Sequence, residues 1–165
     1  MELRMKLRGY IVALLMACAS APLAIAQPGQ STLNASPTNE QYVPRLGDIM
    51  NAVQTRHIKL WLAGKAQNWE LAAYELRQLK AGLLEAAVLY EGIPVSNVTT
   101  MTKPVQSISD AIDAKDFKRF TKAVGELTDS CNSCHQMMQR GFVAIQMPTT
   151  SPFSDQSFAP PQKKP

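Results

Sequence analysis

Cysteine is scarce in this chain, and its scarcity limits the classes of protein to which the sequence can belong. The 165 residues contain three cysteines, which are too few for a small fold held together by several disulfides. No basic stripe with interleaved aromatic residues is present, so we expect no nucleic acid partner. No segment shows the alternation of apolar and polar residues that is typical of half-buried strands. The sequence therefore predicts an all-α protein.

Long apolar runs are also few, and the longest one has the features of a targeting signal. Residues 1–9 carry three basic side chains, residues 10–26 are mostly apolar, and Ala24-Ile25-Ala26 offers small residues for cleavage. Seventeen residues that include a proline are short for a membrane span. We interpret residues 1–26 as a signal peptide that directs the protein to the periplasm, with no transmembrane segment after processing. An uncleaved anchor and a lipoprotein attached at Cys18 are the less favoured alternatives.

Four amphipathic segments follow a polar leader. Residues 27–44 are rich in Pro, Ser, Thr, Asn and Gln, a composition that predicts a flexible leader. Residues 45–141 place apolar side chains at the three-and-four spacing of a helix in four successive segments. Asn68 and Asp116 are the expected N-caps of the second and fourth helices, and Gly64 and Gly141 are the expected stops of the first and the fourth. The short connections predict an antiparallel four-helix bundle, followed by a proline-rich, irregular tail over residues 142–165.

The chemically distinctive stretch is Cys131-Asn132-Ser133-Cys134-His135, on the predicted fourth helix. Positions i, i+3 and i+4 of a helix share one face, so Cys131, Cys134 and His135 can point at the same object. Two thiols at this spacing can form thioethers with the two vinyl groups of one porphyrin while the imidazole reaches its iron. We therefore predict one covalently bound haem c.

A redox dithiol and half of a zinc site are the two other interpretations of this stretch. A dithiol of the thioredoxin kind is expected near a βαβ pattern, and none surrounds the motif. Zinc needs four ligands, and beyond the three residues of the motif only His57 remains in the processed chain as a further nitrogen or sulfur ligand of the usual kind. Haem attachment is favoured over both.

A secreted four-helix bundle with its Cys-x-x-Cys-His string on the last helix resembles the cytochrome c-prime family, the class II c-type cytochromes, and its low-spin relatives. The resemblance covers about residues 45–141. It implies that Cys131 and Cys134 hold the haem and that His135 is the proximal iron ligand. In the low-spin members a methionine early in the first helix supplies the sixth ligand, and Met50 occupies that kind of position.

The residues themselves also favour a distal ligand from the first helix. Met137 and Met138 share a helix with His135 and cannot cross the porphyrin. Met50 and His57 lie on the inner face of the first helix, about 10.5 Å apart along its axis, so only one of them can bind the iron.

Antiparallel packing favours Met50, because the start of the first helix then lies beside the end of the fourth. His57 is expected two turns deeper, level with Leu127 or Val124, and stays open as an alternative distal ligand or a hydrogen-bonded core residue. Met101 and Met147 lie in predicted loops, and an open sixth position is a further alternative.

Together these features predict a periplasmic c-type cytochrome that exchanges electrons with redox partner proteins through a His/Met-ligated iron. No nucleophile–base pair, carboxylate dyad or metal triad is found on the inner faces, so we expect no enzymatic activity. The alternative function is a gas-binding or sensing haem protein with an open or displaceable sixth site, as in high-spin members of the resembled family. Bundles of this kind often dimerise, and a homodimer is left open.

Overall fold

The computed structural model describes residues 42–93, 98 and 101–162. Within these residues the protein is all-helical and has no strand, as predicted. Its helices are α1 (Leu46–Lys65), α2 (Trp69–Leu89), α3 (Thr102–Asp113) and α4 (Phe117–Met137). No helix in the described ranges is long and apolar enough to span a membrane. The predicted signal peptide, Cys18 and the leader up to residue 41 lie outside the described residues.

Side-chain caps begin two of the helices at the predicted positions. The Asn68 side chain accepts a hydrogen bond from the Leu71 backbone N–H at 3.2 Å, and Asp116 accepts one from the Arg119 N–H at 3.0 Å. Each cap satisfies a backbone donor that the first turn of a helix leaves without an internal partner. Short polar residues placed before an apolar run therefore identified both helix starts.

Helix ends were predicted less well, because glycine does not end these helices. α1 continues past Gly64 to Lys65, and its left-handed residue is Gln67, with φ of 56°. The backbone N–H of Asn68 then bonds the Ala63 carbonyl at 2.9 Å, as in a Schellman motif. Gly64 serves packing instead, since a Cβ atom there would overlap the ring of Phe120 on α4.

The fourth helix ends before Gly141, which was also predicted to close it. α4 ends at Met137, and Gln139 takes the left-handed conformation with φ of 56°. The Gln139 N–H bonds the Gln136 carbonyl at 3.0 Å, and the Arg140 N–H bonds the His135 carbonyl at 2.6 Å. This turn reverses the chain and directs the tail back along α4.

α1 and α4 run antiparallel, and their contacts fix the register between them. Trp61, late in α1, stacks on Phe117 and Phe120, early in α4, with ring centroids 6.2 and 6.4 Å apart. His57, one turn earlier in α1, contacts Thr128, about two turns later in α4. The core between the helices is built from fully buried side chains of all four: Leu60, Leu79, Ile108, Phe120 and Leu127.

α1 and α2 are joined by an ion pair between a half-buried arginine and a buried carboxylate. The Arg56 guanidinium lies 3.1 Å from the Glu75 carboxylate, and Glu75 is only 2% exposed. The same guanidinium lies over the ring of Tyr74, 5.9 Å from its centroid. A buried carboxylate needs such a partner because its desolvation is costly.

The tail is irregular through residue 162, as predicted, but several helix side chains hold it in place. Trp61 Nε1–H donates to the Pro148 carbonyl at 2.9 Å. The Asn68 side-chain amide donates to the Ala159 carbonyl at 3.1 Å. The tail therefore returns along the bundle rather than leaving it at the end of α4.

Candidate functional site

A cavity of about 600 Å³ lies between the first half of α1, the end of α4 and the returning tail. Sites for cofactors and other small ligands usually have about 300–1,000 Å³. Leu79 and Leu83 of α2, together with Ile93, Val98 and Met101 of the following connection, make its walls largely apolar. All the residues predicted to form the site line this one cavity: Met50, His57, Cys131, Cys134 and His135.

The two cysteines of the site lie one turn apart in α4 and are both half-buried free thiols. Burial raises the pKa of Cys131 to about 11, and the neighbouring Cys134 thiol adds to the rise. Burial also raises the pKa of Cys134. A redox-active Cys-x-x-Cys pair depends on a lowered thiol pKa, so this environment is unlike that of a reactive dithiol.

His135 has one ring nitrogen engaged and the other available. Its Nδ1 lies 2.7 Å from the carbonyl oxygen of Val143 in the tail. A carbonyl oxygen only accepts hydrogen bonds, so Nδ1 carries the proton and Nε2 of the neutral ring carries a lone pair. An imidazole oriented in this way by a backbone carbonyl is a typical metal ligand.

His57 is 2% exposed and lies against α4. The Thr128 hydroxyl donates to the Val124 carbonyl at 2.8 Å, so it accepts from His57 Nε2–H, also at 2.8 Å. His57 Nδ1 is buried and has no hydrogen-bond partner in the part of the chain that the structure describes. Burial lowers the pKa of His57, which favours the neutral ring. Its contact with Thr128, the residue after Leu127, agrees with the predicted depth.

The contact between His57 and Thr128 also places Met50. In an antiparallel pair, each step back along α1 is matched by a step forward along α4. Met50 precedes His57 by seven residues, and His135 follows Thr128 by seven. The level of Met50 is therefore that of His135, while His57 lies about 10.5 Å deeper.

The structure also bears on the other ligand sets considered. Among the described residues, no group of three or more His, Cys, Asp or Glu side chains is arranged to hold a metal ion, as a zinc site would require. Met147 is not among the residues that line the cavity, and the Thr128 hydroxyl lies 3.6 Å from its sulfur. Met101 and Met138 do line the cavity, Met101 from the connection before α3 and Met138 from the residue that directly follows α4.

Three contributors to the site were not predicted: Asn132, Thr128 and the backbone of Val143. Asn132 bonds the backbone of Ile145, and both Val143 and Ile145 line the cavity. Asn132 is one of the two unspecified positions of the Cys-x-x-Cys-His string, so the motif assigns it no role. Thr128 lies seven residues before His135, which is two helical turns. This spacing alone could have predicted that the two residues share a face of α4.

No protein-family model, curated protein or solved structure matches this chain. The resemblance to class II c-type cytochromes accordingly rests on the residues of the chain alone.

Proposed function

We propose that the protein is a periplasmic c-type cytochrome that transfers electrons through one covalently bound haem. The observation that carries the proposal is the convergence of two free thiols, an imidazole nitrogen with a lone pair and a methionine on one apolar cavity. Each group is of the kind that haem attachment and iron ligation need. The raised thiol pKa values argue for this role of the cysteines over that of a redox dithiol.

The residues around the cavity fit a porphyrin in polarity as well as in volume. A haem held there supplies a one-electron redox centre. Leucine, isoleucine and valine side chains from α1, α2 and the tail exclude water from the site, which lowers the local dielectric and tunes the reduction potential. Arg140 is the charged side chain among the described lining residues, and it is exposed, where it can pair with a propionate.

Met50 is the proposed distal ligand because it comes from α1 at the level of His135. A methionine sulfur opposite a histidine raises the iron potential and keeps the iron six-coordinate, which suits electron transfer. His57 is the weaker candidate, since its Nε2 already bonds Thr128 and its level is two turns deeper.

The function is tested with protein expressed together with haem-maturation machinery. A pyridine haemochrome assay should show one haem per chain, retained under denaturation. The spectrum of the reduced protein should have a sharp low-spin alpha band that carbon monoxide leaves unchanged. Colourless protein would contradict haem binding, and a broad spectrum that shifts with carbon monoxide would favour the gas-binding alternative.

Substitution of Met50 tests whether this residue, rather than another candidate, is the sixth iron ligand. Met50→Leu should abolish the methionine–iron charge-transfer band of the ferric protein and leave the covalent haem content unchanged. Met101→Leu is the matched control, because it removes another methionine from the cavity wall. His57→Ala should also keep the band. Loss of the band in either of these two variants, with retention in Met50→Leu, would contradict the assignment.

A further inference from the structure

The segment after α4 enters the candidate site through backbone atoms that no sequence motif identifies. The left-handed turn at Gln139 sends the chain back along α4, and Val143 and Ile145 then line the cavity. Val143 and Ile145 both turn a backbone carbonyl toward α4, where the side chains of His135 and Asn132 contact them.

Asn132 holds this segment with two hydrogen bonds. Its Nδ2–H donates to the Ile145 carbonyl at 2.9 Å, and the Ile145 N–H donates to its Oδ1 at 2.7 Å. The side-chain amide thus pairs with both polar groups of one residue, as a neighbouring strand would. Asn132 is half-buried, so water competes less for these bonds than it would at an exposed position.

The Asn132 pair and the His135 bond connect the same two segments. Asn132 and His135 lie one turn apart on α4, and their partners Ile145 and Val143 lie two residues apart in the tail. Val143 is exposed at 41%, and its own side chain does little to hold its carbonyl against the imidazole. Two anchors therefore set the position of that carbonyl: the Val143 N–H bonds the Arg140 carbonyl at 2.8 Å on one side, and Asn132 holds Ile145 on the other.

We propose that Asn132 is a positioning residue of the haem site, which keeps the Val143 carbonyl on His135 Nδ1 and thereby sets the orientation and donor strength of the proximal imidazole. The inference rests on the proposed function. A hydrogen bond from Nδ1–H to a carbonyl makes the ring a stronger donor to the metal and stabilises the oxidised iron. The tail accordingly lowers the reduction potential and fixes the plane of the ring.

The test compares two positions within the same motif. Asn132→Ala removes the anchor, whereas Ser133→Ala changes the exposed neighbour in the Cys-x-x-Cys-His string. The readouts are the reduction potential of the haem-loaded protein and the solvent exchange rate of the His135 Nδ1–H proton in the ferrous state. Asn132→Ala should raise the reduction potential. It should also speed exchange of the His135 Nδ1–H proton by about tenfold, because the hydrogen bond to the Val143 carbonyl is lost. Ser133→Ala should change neither.

A second pair of variants leaves the attachment motif intact, in case Asn132→Ala is not matured. Ile145→Pro removes the N–H that Asn132 accepts, and Ile145→Val keeps it. The proline variant should reproduce the rise in potential and in exchange rate, and the valine variant should not. Haem-loaded Asn132→Ala or Ile145→Pro protein with wild-type potential and exchange would overturn the inference.

Failure of the proposed function is distinguished by the haem content of the wild-type protein. If the wild type carries no haem, nitrogen chemical shifts of His135 in the haem-free chain decide the positioning role by themselves. A single Nδ1–H tautomer in the wild type that becomes a mixture in Asn132→Ala supports the role. The same tautomer population in both proteins overturns it.

Discussion

Protonation of His57 should destabilise the fold, and the structure gives the sign and the size of the effect. His57 is 2% exposed, and a second proton would have to enter at Nδ1, which has no hydrogen-bond acceptor among the described residues. Burial accordingly lowers the pKa of His57 in the folded protein. In the unfolded chain the ring titrates near its ordinary pKa of about 6.5.

Below pH 6.5 the unfolded chain therefore binds a proton that the folded protein does not. Stability contributed by neutral His57 is fully present above about pH 6.5 and is lost as the pH falls, with a limiting slope of about 1.4 kcal/mol per pH unit. Between pH 8 and pH 5 the loss is at most about 2 kcal/mol, and it reaches that limit if the folded ring stays neutral throughout.

Urea unfolding at several pH values between 8 and 5, followed by far-ultraviolet circular dichroism, measures this dependence. His57→Gln is the comparison, because glutamine does not titrate and can still bond Thr128. The difference between the wild-type and variant slopes isolates His57, since the carboxylates and His135 are common to both proteins. Equal slopes in the two proteins would refute the assignment of a neutral, buried His57.

Two further predictions concern the stability of the bundle and are measured by the same urea titration. Gly125→Ala should stabilise the fold by about 1 kcal/mol, because a Cβ atom there meets no neighbour, whereas Gly64→Ala should destabilise it by about 2 kcal/mol through overlap with Phe120. Similar effects at the two glycines would contradict the packing described for α1 and α4. Arg56→Met should cost about 3 kcal/mol, because it leaves the Glu75 carboxylate buried without its cation. An Arg56→Met protein as stable as the wild type would show that Glu75 is not held in that pair.

The architecture could be predicted from local patterns. Apolar residues at helical spacing identified four helices, and the short polar residues Asn68 and Asp116 marked two of their starts. The ends were harder, because the left-handed conformation costs a residue such as Gln67 about 1–2 kcal/mol, which tertiary packing can offset without leaving a signal in the sequence. Gly64 suggested a helix end because glycine is common there. Its packing role against Phe120 could not be predicted, because that contact depends on how two distant helices meet.

The candidate site was also predictable only in part. Cys131, Cys134 and His135 were predicted to share a face from their spacing alone, and all three line the cavity. The carbonyl that bonds His135 could not be predicted, because every residue has a carbonyl and Val143 lies in a segment without periodicity. The side chains of a site can be recognised in the sequence, whereas its backbone hydrogen-bond partners can be identified only when the path of the chain is known.

The stacking of Trp61 on Phe117 and Phe120 closes one end of the bundle with protein side chains alone, whereas the far end has an apolar hollow between the same two helices. Under the proposed function, a haem in that hollow would complete the packing between α1 and α4 at this end. Its removal would then destabilise the far end of the bundle as well as abolish electron transfer.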